Sequence, residues 1–112
     1  MIDPRTTKLA ELLVQYSVSV QPGEWVYITG NVAAEPLINE VLKAVLDAGG
    51  HPTILMDSAA LSETKMKYSS DEQLKWVSPV QKMLMEEADV LISLRATTNT
   101  RAMNGIEPIK QQ

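Results

Sequence analysis

Trp25-Val26-Tyr27-Ile28-Thr29 leads into Gly30-Asn31-Val32-Ala33-Ala34-Glu35-Pro36, and the chain then runs through Gly49-Gly50 to Thr53-Ile54-Leu55-Met56. The first segment is β-branched and aromatic, the composition of a strand. Between Pro36 and Gly49, Leu37, Val41, Leu42, Val45 and Leu46 recur at helical spacing. Gly49-Gly50 stops the helix, and Thr53 to Met56 is a second apolar run. Strand, helix and strand over this length make a βαβ unit with parallel strands. Open parallel sheets take ligands beyond the carboxyl ends of their strands, so the unit fixes where a site belongs.

The flanking segments extend this unit. Asp3-Pro4 offers an N-cap followed by proline at the first helical position. Leu9, Leu12, Leu13 and Tyr16 then form one apolar stripe, which predicts a helix down to about Ser17. Pro22-Gly23 turns the chain into the first strand. Ser58 to Ser69 is polar and irregular, with a short helix over 62–68. Ser70 with Gln73, and Ser78-Pro79 with Gln81, have capping-box spacing. The first box opens a helix carrying Leu74 and Val77, the second one carrying Met83, Leu84 and Ala88. Val90-Leu91-Ile92-Ser93-Leu94 is a third strand, and its near-continuous aliphatic run suits a sheet covered on both faces. With the third strand on the far side of the first, the order is 2-1-3, and right-handed crossovers then put the Leu37 helix on one face and the helices from Ser70 to Ala88 on the other. The expected fold is a three-layer α/β domain of Rossmann/flavodoxin type over 1–112, with a short parallel sheet and helices on both faces. Gly105-Ile106-Glu107-Pro108-Ile109 reads as the opening of another element, and three strands is a short sheet, so an incomplete domain from a longer chain is expected.

Composition narrows the function. A chain of 112 residues, 45% apolar, is one domain with one core. That core is aliphatic, because there is no Phe and only two Trp and three Tyr. The net charge is −4 and the ten basic residues are scattered, which argues against nucleic acid. The absence of Cys excludes thiolate zinc sites and cysteine nucleophiles, and it is compatible with a cytoplasmic location. No apolar run approaches the ~20 residues that span a bilayer.

Several residues were weighed as sites. The Gly30–Pro36 loop has one glycine, and Glu35 and Pro36 put a charge and a missing donor where a phosphate would bind, so a dinucleotide fingerprint is absent. Asp57, after the second strand, only mimics a ribose-binding acid. His51, the single histidine, sits in a turn, and Asp57 at the far end of the same strand is out of reach of a shared ion. Asp71-Glu72 and Glu86-Glu87 read as a helix first turn and a solvated face. No serine has nucleophile-elbow context. The best site by spacing follows the third strand: Arg95, Asn99 and Arg101, with Asn31 alongside, have the donors to hold a ligand carboxylate or carbonyl. A polar loop with capping Thr and Asn residues explains the same segment.

The chain as a whole resembles the N-terminal part of the thermophilic-type metallo-aminopeptidases, the family of aminopeptidase T and aminopeptidase S. The resemblance is carried by ordered segments: Asp3-Pro4-Arg5, Leu13-Val14 with Tyr16-Ser17, Val20-Gln21-Pro22-Gly23 and Ala34-Glu35-Pro36-Leu37. It continues through Ala48-Gly49-Gly50-His51-Pro52, Ser70-Asp71-Glu72-Gln73-Leu74, Glu87-Ala88-Asp89 and Asn99-Thr100-Arg101-Ala102. It implies a cytoplasmic, homodimeric exopeptidase that uses two divalent metal ions, Zn or Co, to remove N-terminal residues from peptides. It also implies that the metal ligands and catalytic carboxylate lie in a C-terminal portion outside this chain. No residue here inherits a catalytic or metal role, and Asn31, Arg95, Asn99 and Arg101 are expected to line the substrate cavity. The competing expectations are a self-standing nucleotide- or anion-binding module and an oligomerisation domain.

Overall fold

The computed structural model describes residues 3–96 and, as backbone, 103–110. Helix α1 (Pro4–Leu12) starts where Asp3 accepts a hydrogen bond from the Arg5 amide at 2.8 Å. It runs on as a wide π-turn over Leu13–Ser17. Strand β1 (Trp25–Asn31) follows, then helix α2 (Glu35–Asp47) and strand β2 (His51–Asp57). Helices α3 (Ala59–Tyr68), α4 (Asp71–Lys75) and α5 (Pro79–Glu87) lead to strand β3 (Val90–Ala96). Strand β4 (Met103–Lys110) closes the order.

The sheet order is β2-β1-β3-β4. Strands β1, β2 and β3 are parallel, in the expected 2-1-3 order. The element anticipated at Gly105 is a fourth strand, antiparallel to β3, with a register irregularity between Leu94 and Ala96. Pro108 sits on this outermost strand, the place in a sheet that tolerates a missing amide.

Side chains alternate across the sheet and make two unequal layers. Val26, Ile28, Val90, Ile92 and Leu94 face α1 and α2 and are fully buried with Val14, Val41 and Val45. On the opposite face Tyr27, Leu84 and Ala88 form a small cluster flanked by Trp25 and Leu91. That face is thinly covered, since α3 and α4 bury no residue at all. The start of β1 is fastened to the turn before β3. The Trp25 amide donates to the Asp89 carboxylate and the Asp89 amide to the Trp25 carbonyl, each at 2.8 Å.

Several local expectations need correction. From α1 through the π-turn the buried line is Ala10, Leu13, Val14 and Val18, whereas Leu12 and Tyr16 are exposed. In α2, Leu46 is exposed and Ile38 and Ala44 are buried instead. The Ser70–Gln73 capping box forms, with the Ser70 amide donating to Gln73 at 2.9 Å and the Gln73 amide to the Ser70 hydroxyl at 3.2 Å. Ser78 makes no side-chain cap, and Pro79 alone supplies the helical entry angle. Helix α4 stops at Lys75 rather than continuing through Val77. Pro79 holds Ser78 extended, which keeps a helix from running through 76–78.

Candidate functional site

The carboxyl ends of β1, β2 and β3 form one row. Asn31 pairs in register with Asp57, and Gly30 with Leu94, so Arg95 follows beside Asn31. The row needs Gly30. A Cβ there would collide with the Leu94 carbonyl and come within 2.8 Å of the Ile38 side chain. Its glycine therefore answers to space between β1, β3 and α2, and its φ is not in the left-handed region.

Within the row, Asn31 works on the backbone. Its amide nitrogen donates to the Ala96 carbonyl at 2.5 Å, and its oxygen accepts from the Ala96 amide at 3.0 Å. The side chain so extends the β1–β3 ladder past its last backbone rung. Arg95 reaches over it to Asp57, with Nη2 to Oδ2 at 3.5 Å. Both side chains are about half exposed, 51% and 40%, so the pair is solvent-screened and orients more than it stabilises. The guanidinium keeps donors open to solvent in this geometry. The 2-1-3 order thus brings Asn31 and Arg95 together; Asn99 and Arg101 lie outside the described residues.

Two clefts flank the row. On the α5 side a cleft of about 310 Å³ is lined by Tyr27, Thr29, Asp57, Ser62, Lys65 and Gln81. On the α2 side a groove of about 600 Å³ runs past Val32, Glu35, Ile38 and Met56. The first holds a carboxylate, an ammonium, an amide and hydroxyls, a set that hydrogen-bonds a peptide backbone or its charged end. Asp57 enters the sequence reading only as a mimic of a ribose-binding acid and as a distant partner of His51, and Lys65 does not enter it. Asp57 was legible as a charged residue at the end of a parallel strand, the usual place for a ligand contact. Lys65 was not, because the polar Ser58–Ser69 segment shows no apolar period and its helix is longer than expected. Glu35 stands in the first turn of α2, where a bound anion would need bare amides.

Among the described residues no three His, Asp or Glu side chains gather as a metal-binding group. His51 and Asp57 occupy opposite ends of β2. Asp71 and Glu72 lie in the first turn of α4, and Glu86 and Glu87 end α5, exposed. None of these sets fits a pair of divalent ions, which needs several ligands converging on each ion. Glu40, an acid with a perturbed titration, lies elsewhere, between α1 and α2. Its Oε1 accepts from the Thr7 hydroxyl at 3.0 Å. The Lys43 ammonium lies 2.9 Å from Oε2, an ion pair outside good hydrogen-bond geometry. Lys43 chiefly, and Thr7 after it, hold the Glu40 carboxyl below the usual glutamate range against the opposing effect of burial. Among the described residues no helix is long and apolar enough to cross a membrane.

Comparison with known proteins agrees with this architecture. A solved structure of wild-type AmpT from Thermus thermophilus superposes with a TM-score of 0.53 over 60% of this chain and 17% of its own, at 19% identity, a likeness of fold. Aminopeptidase 2 from Geobacillus stearothermophilus is 27% identical over 81 residues, which is 71% of this chain. The chain spans 20% of the length of that relative. The family model described as thermophilic metalloprotease (M29) matches residues 2–112. A match of that extent, on a fold reached independently from the βαβ pattern, places the chain in the M29 thermophilic metalloprotease family.

Proposed function

We propose that this chain is the N-terminal α/β domain of a cytoplasmic, metal-dependent aminopeptidase, and that it supplies scaffold and one wall of the substrate cavity. The observation that carries this reading is the family match over 2–112 in a chain whose described carboxylates do not converge. In the parent, two divalent ions, Zn or Co, would activate water for attack on the scissile carbonyl. Their ligands and the catalytic carboxylate would come from sequence outside this chain. Here Arg95, steered by Asp57, presents its free donors beyond the sheet. Asn31 keeps the β1–β3 end rigid beneath it. A peptide substrate offers carbonyls and a terminal carboxylate to such donors.

The test is a calorimetric titration of the purified chain with Zn²⁺ and Co²⁺, alongside an aminoacyl reporter assay. Neither low-micromolar metal binding nor turnover is expected. Tight binding of one or two ions, or metal-stimulated hydrolysis, would overturn the proposal. Thermal stabilisation by ATP, NAD or FMN would favour a nucleotide-binding module instead, because a ligand of the folded form raises its melting temperature.

A further inference from the structure

The two faces of the sheet diverge toward the carboxyl ends of the strands. On the α2 face Ile28, Ile92 and Leu94 keep the surface apolar and buried to the last rung of the β1–β3 ladder. On the α5 face Trp25, Tyr27 and Leu91 give way to Thr29, which is in register with Ser93, and then to Asp57 and Arg95. A sheet face that a helix covers stays apolar. This half-face is polar, and the cleft of about 310 Å³ stands over its β1–β2 part. Helix α3 is the outer wall: Leu61, Ser62 and Lys65, at i, i+1 and i+4, share the flank that lines the cleft.

The polar groups of the cleft are not used by the fold. Tyr27 is 4% exposed, and its hydroxyl has no hydrogen-bond partner among the described residues. Glu40 Oε2 is the orphaned side-chain atom sealed from solvent among those residues, so the Tyr27 hydroxyl opens onto the cleft that its side chain lines. The side chains of Thr29, Ser62, Lys65 and Gln81 line it without a protein partner among the described residues. Asp57 meets Arg95 through Oδ2, which leaves Oδ1 open. Polar side chains just outside the cleft are committed: Thr53 accepts from Trp25 Nε1, and Asn31 bonds both backbone groups of Ala96.

The charges select the ligand. One carboxylate and one ammonium line the same small space, together with the apolar Leu55 and Leu61. A phosphate dianion would stand against Asp57. A sugar would set hydroxyls against the two leucines. The volume is at the small end for ligand cavities, too little for a nucleotide. We propose that this cleft binds a free α-amino acid with an aliphatic side chain. Asp57 takes the ammonium, Lys65 takes the carboxylate with help from the Tyr27 hydroxyl, and Leu55 and Leu61 take the side chain. The site does not rest on the metal chemistry proposed above: a chain that binds no ion can still bind the zwitterion, and the reverse.

The test is an NMR titration of the isotope-labelled chain with L-leucine. Saturable shifts are expected at the Thr29, Asp57 and Ser62 amides, with a Kd of about 1 mM or tighter. Leucinamide lacks the carboxylate and 4-methylpentanoate lacks the ammonium, so each should bind at least about tenfold more weakly. Glycine, with no side chain to bury, should also bind at least about tenfold more weakly. Asp57→Asn and Lys65→Met should each weaken leucine binding about tenfold or more. Tyr27→Phe keeps the ring in its cluster and should weaken it about threefold or more. Lys67→Met, on α3 but outside the cleft, should change nothing. Absence of saturable shifts at tens of millimolar leucine would overturn the proposal, as would shifts confined to other elements. So would leucinamide or 4-methylpentanoate binding as tightly as leucine, or unchanged binding by folded Asp57→Asn and Lys65→Met.

Discussion

At the scale of single residues, three side chains make separable contributions. Gly30→Ala drives a methyl into the Leu94 carbonyl and the Ile38 side chain. Backbone cannot yield as a side-chain tip does, so a loss of about 1–3 kcal/mol is expected in urea denaturation. Asn31→Ala leaves the Ala96 amide and carbonyl without their side-chain partners. A loss of about 1–3 kcal/mol is expected, with faster hydrogen exchange at the end of β3. Glu40 gives a pH signature. Its carboxyl titrates lower when folded than when unfolded, so the unfolded chain binds the proton more readily. The associated stability is fully present above the unfolded value and is lost as pH falls through the folded one. The melting temperature should therefore drop below about pH 4.5 in the native chain, and less steeply in Glu40→Gln.

At the scale of elements, the identity of β1, β2 and β3 followed from composition, whereas their order rested on placing β3 on the far side of β1. These strands are apolar enough to be seen singly, and once their order is taken, right-handed crossovers decide which face each helix covers. Helix faces were less legible. The stripe through Leu12 and Tyr16 missed Ala10 and Val14, both fully buried, and an alanine carries little hydrophobic signal. Two capping boxes of similar spacing behaved differently, since the proline after Ser78 changes what its helix start requires. The candidate site was half readable: adjacency of Asn31 and Arg95 came with the strand order, but the Asp57–Arg95 pair spans β1 and depends on the reach of the arginine. Helix α4 should owe its order to Ser70. Ser70→Ala is expected to cost about 0.5–2 kcal/mol of local helix stability, seen as faster exchange at Gln73 and Leu74 while the core amides are unaffected.

At the scale of the whole molecule, the two layers differ in kind. The face bearing α1 and α2 holds nearly all of the fully buried aliphatic side chains. The other face rests on α5 and a cluster around Tyr27, with α3 and α4 lying outside it. Opening should accordingly be stepwise. Native-state hydrogen exchange should show α3 and α4 opening at low free energy and β1 and β3 only on global unfolding. Equal protection of both layers would contradict this asymmetry.

Depth within the thinner layer separates the two indoles. Trp25 is half-buried, with its Nε1 donating to Thr53 at 2.9 Å, whereas Trp76 is 68% exposed between α4 and α5. Each ring therefore senses a different depth of the layer that carries α5, Trp25 against the sheet and Trp76 at its outer rim. Acrylamide should quench Trp76 emission first, and Trp25 emission should shift only when α5 leaves the sheet or the sheet itself comes apart. Single Trp→Tyr replacements would turn the intrinsic fluorescence into two independent clocks, one for the periphery and one for the centre.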